Sequence, residues 1–149
     1  MKITSRTGAL AIGAVLAAAA IVTVSGSTAS ATQADCASWP NPGSATGTST
    51  VYRQDAGRQG TYAELRKGTV GGQQVGWARL TGTTKKGDGV WMDVSNNGGA
   101  SWTQCGPYLV DADGGVPYTR GYATSTSASR VFRACGRVSG AFSVCGPWW

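Results

Sequence analysis

Short runs of β-branched and aromatic residues recur along the C-terminal two thirds of the chain. They cover Thr50–Gln54, Thr61–Arg66, Val75–Thr81, Val90–Val94, Ser101–Gln104, Tyr118–Thr126, Arg130–Arg137 and Phe142–Cys145. Several alternate with period two: Tyr62, Glu64 and Arg66 fall on one face and Ala63 and Leu65 on the other, the pattern of a strand with one wet and one buried side. Glycine or Asn/Asp clusters separate nearly every pair of runs, and no window carries a helical period. The pattern predicts an all-β domain over residues 50–149, a small antiparallel β-sandwich or barrel of about seven or eight short strands.

The pattern fails toward the N-terminus. Lys2 and Arg6 precede an uncharged apolar run from Ala9 to Val24, and Ala29-Ser30-Ala31 supplies a small-x-small site. This predicts a secretory signal peptide over residues 1–31 and an extracellular location, with no membrane span once the signal is cleaved. Residues 32–49 follow, rich in Pro, Gly, Ser and Thr, with Trp39 as the single large apolar side chain. Such a stretch buries little area, so it reads as an extended or flexible segment tethered at Cys36.

Composition narrows the chemistry. The 149 residues include no histidine and one glutamate, Glu64. A Ser-His-Asp triad, a Cys-His dyad, a histidine-bearing zinc site and a histidine pH switch therefore cannot be built from this chain alone. Asp88 and Asp93 flank Trp91, and Asp111 and Asp113 sit in a Gly-rich loop, where turn-capping Asp is ordinary. The DADGG stretch lacks the ligand series and terminal Glu of an EF-hand. No catalytic residue, metal or cofactor is expected; were an activity found, Glu64, Asp93 and Asp111 would be the acids to mutate. The formal charge of +6, which becomes +4 once Lys2 and Arg6 leave with the signal, is scattered, and the adjacent pairs Arg66-Lys67 and Lys85-Lys86 read as solvated charge. That balance favours loose attraction to anionic cell walls or acidic proteins, and no nucleic-acid module is evident.

Four cysteines lie beyond the signal: Cys36, Cys105, Cys135 and Cys145. In an oxidising compartment an even count points to disulfides, and the CxxC spacing of metal sites is missing. Three pairings are open. Cys135 and Cys145 bracket Ser139-Gly140, a turn signal that would set the two cysteines opposite each other in a hairpin, leaving Cys36 for Cys105.

Ser95-Asn96-Asn97-Gly98-Gly99-Ala100-Ser101-Trp102 resembles the Asp-box, S-x-D-x-G-x-T-W. It matches at Ser95, Gly99 and Trp102, with Asn97 for Asp and Ser101 for Thr. The resemblance implies a structural hairpin whose polar side chains bond the loop backbone while the tryptophan packs beneath, and Asn-Gly suits such a turn. Trp77, Trp91 and Trp102 lie in strand-like runs and are expected in the core. Trp39, Trp148 and Trp149 are the ones expected at the surface, the last two either capping the core or stacking on a ligand such as a sugar ring.

Further stretches carry a family likeness. Val90-Trp91-Met92-Asp93, Gln104-Cys105-Gly106-Pro107, Phe132-Arg133-Ala134-Cys135-Gly136-Arg137 and the closing Cys145-Gly146-Pro147-Trp148-Trp149, with Tyr62-Ala63-Glu64-Leu65-Arg66 and Gly76-Trp77-Ala78-Arg79, resemble small secreted actinobacterial two-disulfide proteins. Within that group the chain looks like the adaptor subunit of umbrella toxin particles, extracellular assemblies used against competing bacteria. The resemblance covers most of residues 52–149. It implies a non-enzymatic adaptor joining a lectin-bearing subunit to a large repeat-containing toxin chain, with its N-terminal segment docking into the lectin subunit. The residues available for that contact are Asp35, Trp39, Pro40, Asn41 and Pro42, one large apolar side chain on a covalently anchored strand of polar chain. Two other binding readings stand beside it: a carbohydrate- or cell-wall-binding domain using exposed tryptophans, and a secreted protease inhibitor with a disulfide-supported loop.

Overall fold

A computed structural model describes residues 31–149; the signal peptide expected over residues 1–31 lies, but for its last residue, outside the described residues. Two 3-10 turns, Gln33–Cys36 and Pro42–Ser44, precede eight strands: β1 (Thr46–Asp55), β2 (Thr61–Val70), β3 (Gln73–Gly82), β4 (Gly89–Ser95), β5 (Thr103–Leu109), β6 (Tyr122–Ala123), β7 (Val131–Arg137) and β8 (Val144–Cys145). They form two antiparallel four-stranded sheets, ordered β1-β2-β3-β6 and β5-β4-β7-β8. The architecture is the sandwich rather than the barrel.

Period-two alternation places the core. Ala63 and Leu65 of β2 and Ala78 and Leu80 of β3 meet Val90, Met92 and Val94 of β4 and Phe132 and Ala134 of β7, all buried in one cluster. Tyr62, Glu64 and Arg66 take the other face, where Glu64 lies opposite Arg79. Tyr52 reaches from the first sheet to the second: its hydroxyl accepts a hydrogen bond from Ala134 N at 2.8 Å. Burial pushes that phenol up to about 12.

The expected strands differ from the observed ones at their ends. The run at 118–126 forms only β6, plus an isolated bridge between Tyr118 and Arg79. Buried Thr119 interrupts it, its hydroxyl accepting from Ala78 N at 3.1 Å. The run at 101–104 shifts forward into β5, because the preceding residues belong to a turn.

Residues 32–49 are folded against the domain and are not a loose leader. Thr32 and Asp35 cap the first turn reciprocally. Cys36 is bonded to Cys105 of β5, and Gln33 Nε2 donates to Pro107 O at 3.1 Å. Trp39 lies against Tyr122 with ring centroids 4.5 Å apart, and Pro40 O accepts from Gly121 N at 2.8 Å. β1 already begins at Thr46, so the boundary drawn at residue 50 falls inside a strand. Composition alone misjudges this stretch because its backbone groups and its one indole find partners far away in sequence.

Candidate functional site

Both disulfides pair as expected, Cys36–Cys105 and Cys135–Cys145, and Cys135 and Cys145 are direct cross-strand partners in β7 and β8. Asp93, Cys135 and Cys145 bring an oxygen and two sulfurs within 4.8 Å of one another, but the sulfurs are spent in the disulfide and offer no thiolate to a metal.

The Asp-box-like turn is held by its own side chains. Ser95 Oγ accepts from Asn97 N and Gly99 N at 3.2 and 2.8 Å, and Asn97 Oδ1 accepts from Ser101 N at 2.9 Å. Asn97 Nδ2 donates to Ser101 Oγ at 2.8 Å, so Asn and Ser substitute for the motif's Asp and Thr without losing the network. Trp102 departs from expectation. It leaves the turn just before β5, stays 49% exposed, and stands on the outside of the sandwich instead of beneath the loop. There it meets Trp148 at 6.0 Å between centroids, and the Arg133 guanidinium lies 4.7 Å from the Trp102 ring and 4.4 Å from the Trp148 ring. A shallow groove of about 220 Å³ runs beside Trp102, lined also by Asn96, Asn97, Ser101 and Thr103.

Beneath this stack Arg133 Nε donates to Asp93 Oδ2 at 2.8 Å. Asp93 is buried, its Oδ1 has no partner among the described residues, and burial raises its pKa against the opposing pull of Arg133. Three other acids, Glu64, Asp88 and Asp113, are also tied. Arg79 holds Glu64 through two nitrogens at 3.0 and 2.7 Å. Asp88 accepts from Arg58, Lys85 N and Ser139 N. Burial would raise Asp88, but those hydrogen bonds and the Arg58 charge outweigh it and hold the carboxyl below its ordinary range. Asp113 bonds Lys85 Nζ and Lys86 N. Three basic residues lie over rings: Arg53 over Tyr62, Lys67 over Trp149 and Arg130 over Tyr122.

Of the residues proposed for partner contact, Asp35 and Asn41 cap turns, Trp39 packs on Tyr122, Pro42 is buried, and Pro40 bonds Gly121. Asn41 nevertheless lines an open cleft of about 600 Å³ together with Gln33, Tyr108, Leu109, Tyr118 and Arg120. Asp111 is at the same cleft. Leu109 and Tyr118 are 47% and 42% exposed, and nearby in sequence Val116 is 47% exposed. Sequence reasoning missed this cleft. The one trace was Leu109-Val110 at a strand end, where alternation requires one of two adjacent apolar residues to face out.

Of the two roles considered for Trp148 and Trp149, the packing shows capping, by Trp149. Trp149 N and O pair with Phe132 O and N at 2.9 and 2.8 Å, so the C-terminus lies along β7, and its ring is 5.9 Å from that of buried Phe132. Both indoles keep an open side.

These features define a two-sheet, two-disulfide β-sandwich with an aromatic cleft walled by its own N-terminal segment. The chain matches no protein-family model, no curated protein and no solved structure. No helix among the described residues is long and apolar enough to cross a membrane.

Proposed function

We propose that this chain is a secreted, non-enzymatic interaction module, an adaptor subunit that joins larger extracellular chains. The observation that carries it is the cleft: the exposed apolar side chains Leu109 and Tyr118 gather with Tyr108 against a wall made by Gln33 and Asn41. Aromatic and aliphatic anchors with a polar rim suit an extended segment of a protein partner. The resemblance to the adaptor of umbrella toxin particles supplies the kind of partner, a lectin-bearing subunit and a large repeat-containing toxin chain. In this arrangement the N-terminal segment contributes as a wall already in place, so little ordering entropy is lost on contact.

The test is co-purification of the tagged protein from native culture medium, with Leu109→Ala and Tyr118→Ala as variants. Large secreted chains should co-purify with the parent, and the double variant should weaken the association at least tenfold while its melting temperature holds. Recovery of the parent as a lone protein counts against an adaptor.

A second reading rests on a different feature. Trp102, exposed beside the amides and hydroxyls of Asn96, Asn97, Ser101 and Thr103, offers the ring-plus-polar setting that stacks on sugars. A glycan array probed with the parent and with Trp102→Ala separates it from the adaptor reading.

A further inference from the structure

The loop between β7 and β8 carries a side chain that the fold does not use. Phe142 is 95% exposed, far beyond the 49% of Trp102, the next most exposed large hydrophobic residue among the described residues. The loop that presents it is braced at several points. The Cys135–Cys145 bridge closes its base, and Val138 is buried at 4% exposure. Ser139 N donates to Asp88 Oδ1 at 2.8 Å, and Asp88 is itself clasped by Arg58. Ala141 N donates to Val138 O at 3.0 Å, with Gly140 at φ +81° completing the turn. The residues around Phe142 are small and neutral: Gly140, Ala141 and Ser143. β8 is the outermost strand of its sheet, so the chain from Phe142 to Cys145 runs at an open edge.

We infer that residues 139–145 form a bait loop that seats Phe142 in the apolar specificity pocket of a secreted serine endopeptidase, making the chain a reversible inhibitor of chymotrypsin-like or subtilisin-like enzymes. A protease cleft recognises a peptide by pairing with its extended main chain while one deep pocket takes a side chain. The open edge leading into β8 offers the first, and a lone aromatic between small neighbours offers the second. Bracing matters because a loop already ordered loses little entropy on binding, whereas a slack peptide is bound as a substrate is. A bilayer is the poorer fit, since one phenyl among neutral residues lacks the apolar area and flanking cations that interfacial binding uses. This activity uses none of the cleft residues and stands apart from the adaptor reading.

The test is inhibition of α-chymotrypsin, subtilisin and trypsin by the purified, disulfide-intact chain and by Phe142→Ala and Phe142→Lys. The parent should inhibit chymotrypsin or subtilisin competitively, and Phe142→Ala should weaken that by roughly 100-fold. Phe142→Lys should move inhibition toward trypsin, whose pocket carries an acidic residue. Melting temperatures should not change, because the side chain is 95% exposed. No inhibition by the parent at about 100 μM, or steady cleavage after Phe142 with no lasting complex, overturns the proposal. Either result leaves the cleft reading to its own experiment.

Discussion

Asp93 and Arg133 face each other across β4 and β7, and the same guanidinium that bonds the buried carboxylate also packs against the rings of both Trp102 and Trp148. One arginine thus neutralises an acid on its inner side and orders two surface indoles on its outer side. Arg133→Ala strips both roles at once. Leaving Asp93 buried without its partner should cost about 3 kcal/mol in chemical denaturation at neutral pH. Tryptophan fluorescence of the folded variant should also change as Trp102 and Trp148 lose the cation packed against both rings. A loss under about 0.5 kcal/mol would show that Asp93 escapes burial when its partner goes.

The two buried aspartates should give opposite pH signatures. Asp93 has a folded pKa above its ordinary 3.8, so the folded state holds the proton more tightly than the unfolded chain. Its contribution to stability therefore falls as pH rises from about 3.8 through the raised value. Asp88 is shifted below 3.8, so its contribution is present above that value and is lost as pH drops beneath it. Denaturation curves from pH 2 to pH 7 on the parent, Asp93→Asn and Asp88→Asn check both signs. The deficit of Asp88→Asn should shrink at the acid end, and Asp93→Asn should lose least, relative to the parent, at the neutral end.

The two disulfides should differ in what they hold. Cys36–Cys105 spans a separation of 69 residues, Cys135–Cys145 one of 10. Loop-closure entropy then assigns about 4 kcal/mol to the first and about 3 kcal/mol to the second. Replacing Cys36 and Cys105 by Ser should also free the docked segment at 32–44, which limited proteolysis would detect as early cleavage there. Replacing Cys135 and Cys145 should leave that segment protected.

Gly99 tests the coupling between the Asp-box-like turn and the C-terminus. Its φ is +94°, and a Cβ there would stand 2.8 Å from Trp148 Nε1. Gly99→Ala should therefore destabilise by about 1–3 kcal/mol, and Trp148 must shift to admit the methyl. Gly98→Ala, also at positive φ but with open space around it, carries the backbone penalty without the clash. The smaller loss in Gly98→Ala, with unchanged tryptophan emission, is the comparison that isolates the indole contact.

Much of the framework was legible from local pattern. Period-two alternation placed Ala63 and Leu65 inward and Tyr62 and Arg66 outward because strand geometry dictates the sides wherever one face is buried. The turn signal at Ser139-Gly140 put Cys135 opposite Cys145, and the Ser95–Ser101 network follows from short polar side chains reaching backbone a few residues away. Each of these depends on neighbours in sequence.

What the tertiary structure alone decided depends on neighbours in space. Residues 32–49 look too polar and too rich in Pro, Gly, Ser and Thr to fold by themselves, yet Trp39 finds Tyr122, Pro40 finds Gly121, and Gln33 finds Pro107. Trp102 reads as core by its place in a run, and only the path of the C-terminus shows that Arg133 and Trp148 hold it on the outside. The cleft at Tyr108, Leu109 and Tyr118 and the solitary exposure of Phe142 are equally invisible along the chain. Sequence thus determined which residues become strands and which way their side chains alternate, since those are properties of a backbone repeating every two residues. Which apolar groups remained uncovered was settled by how two sheets and two tails came together, because solvent exposure belongs to the packed whole.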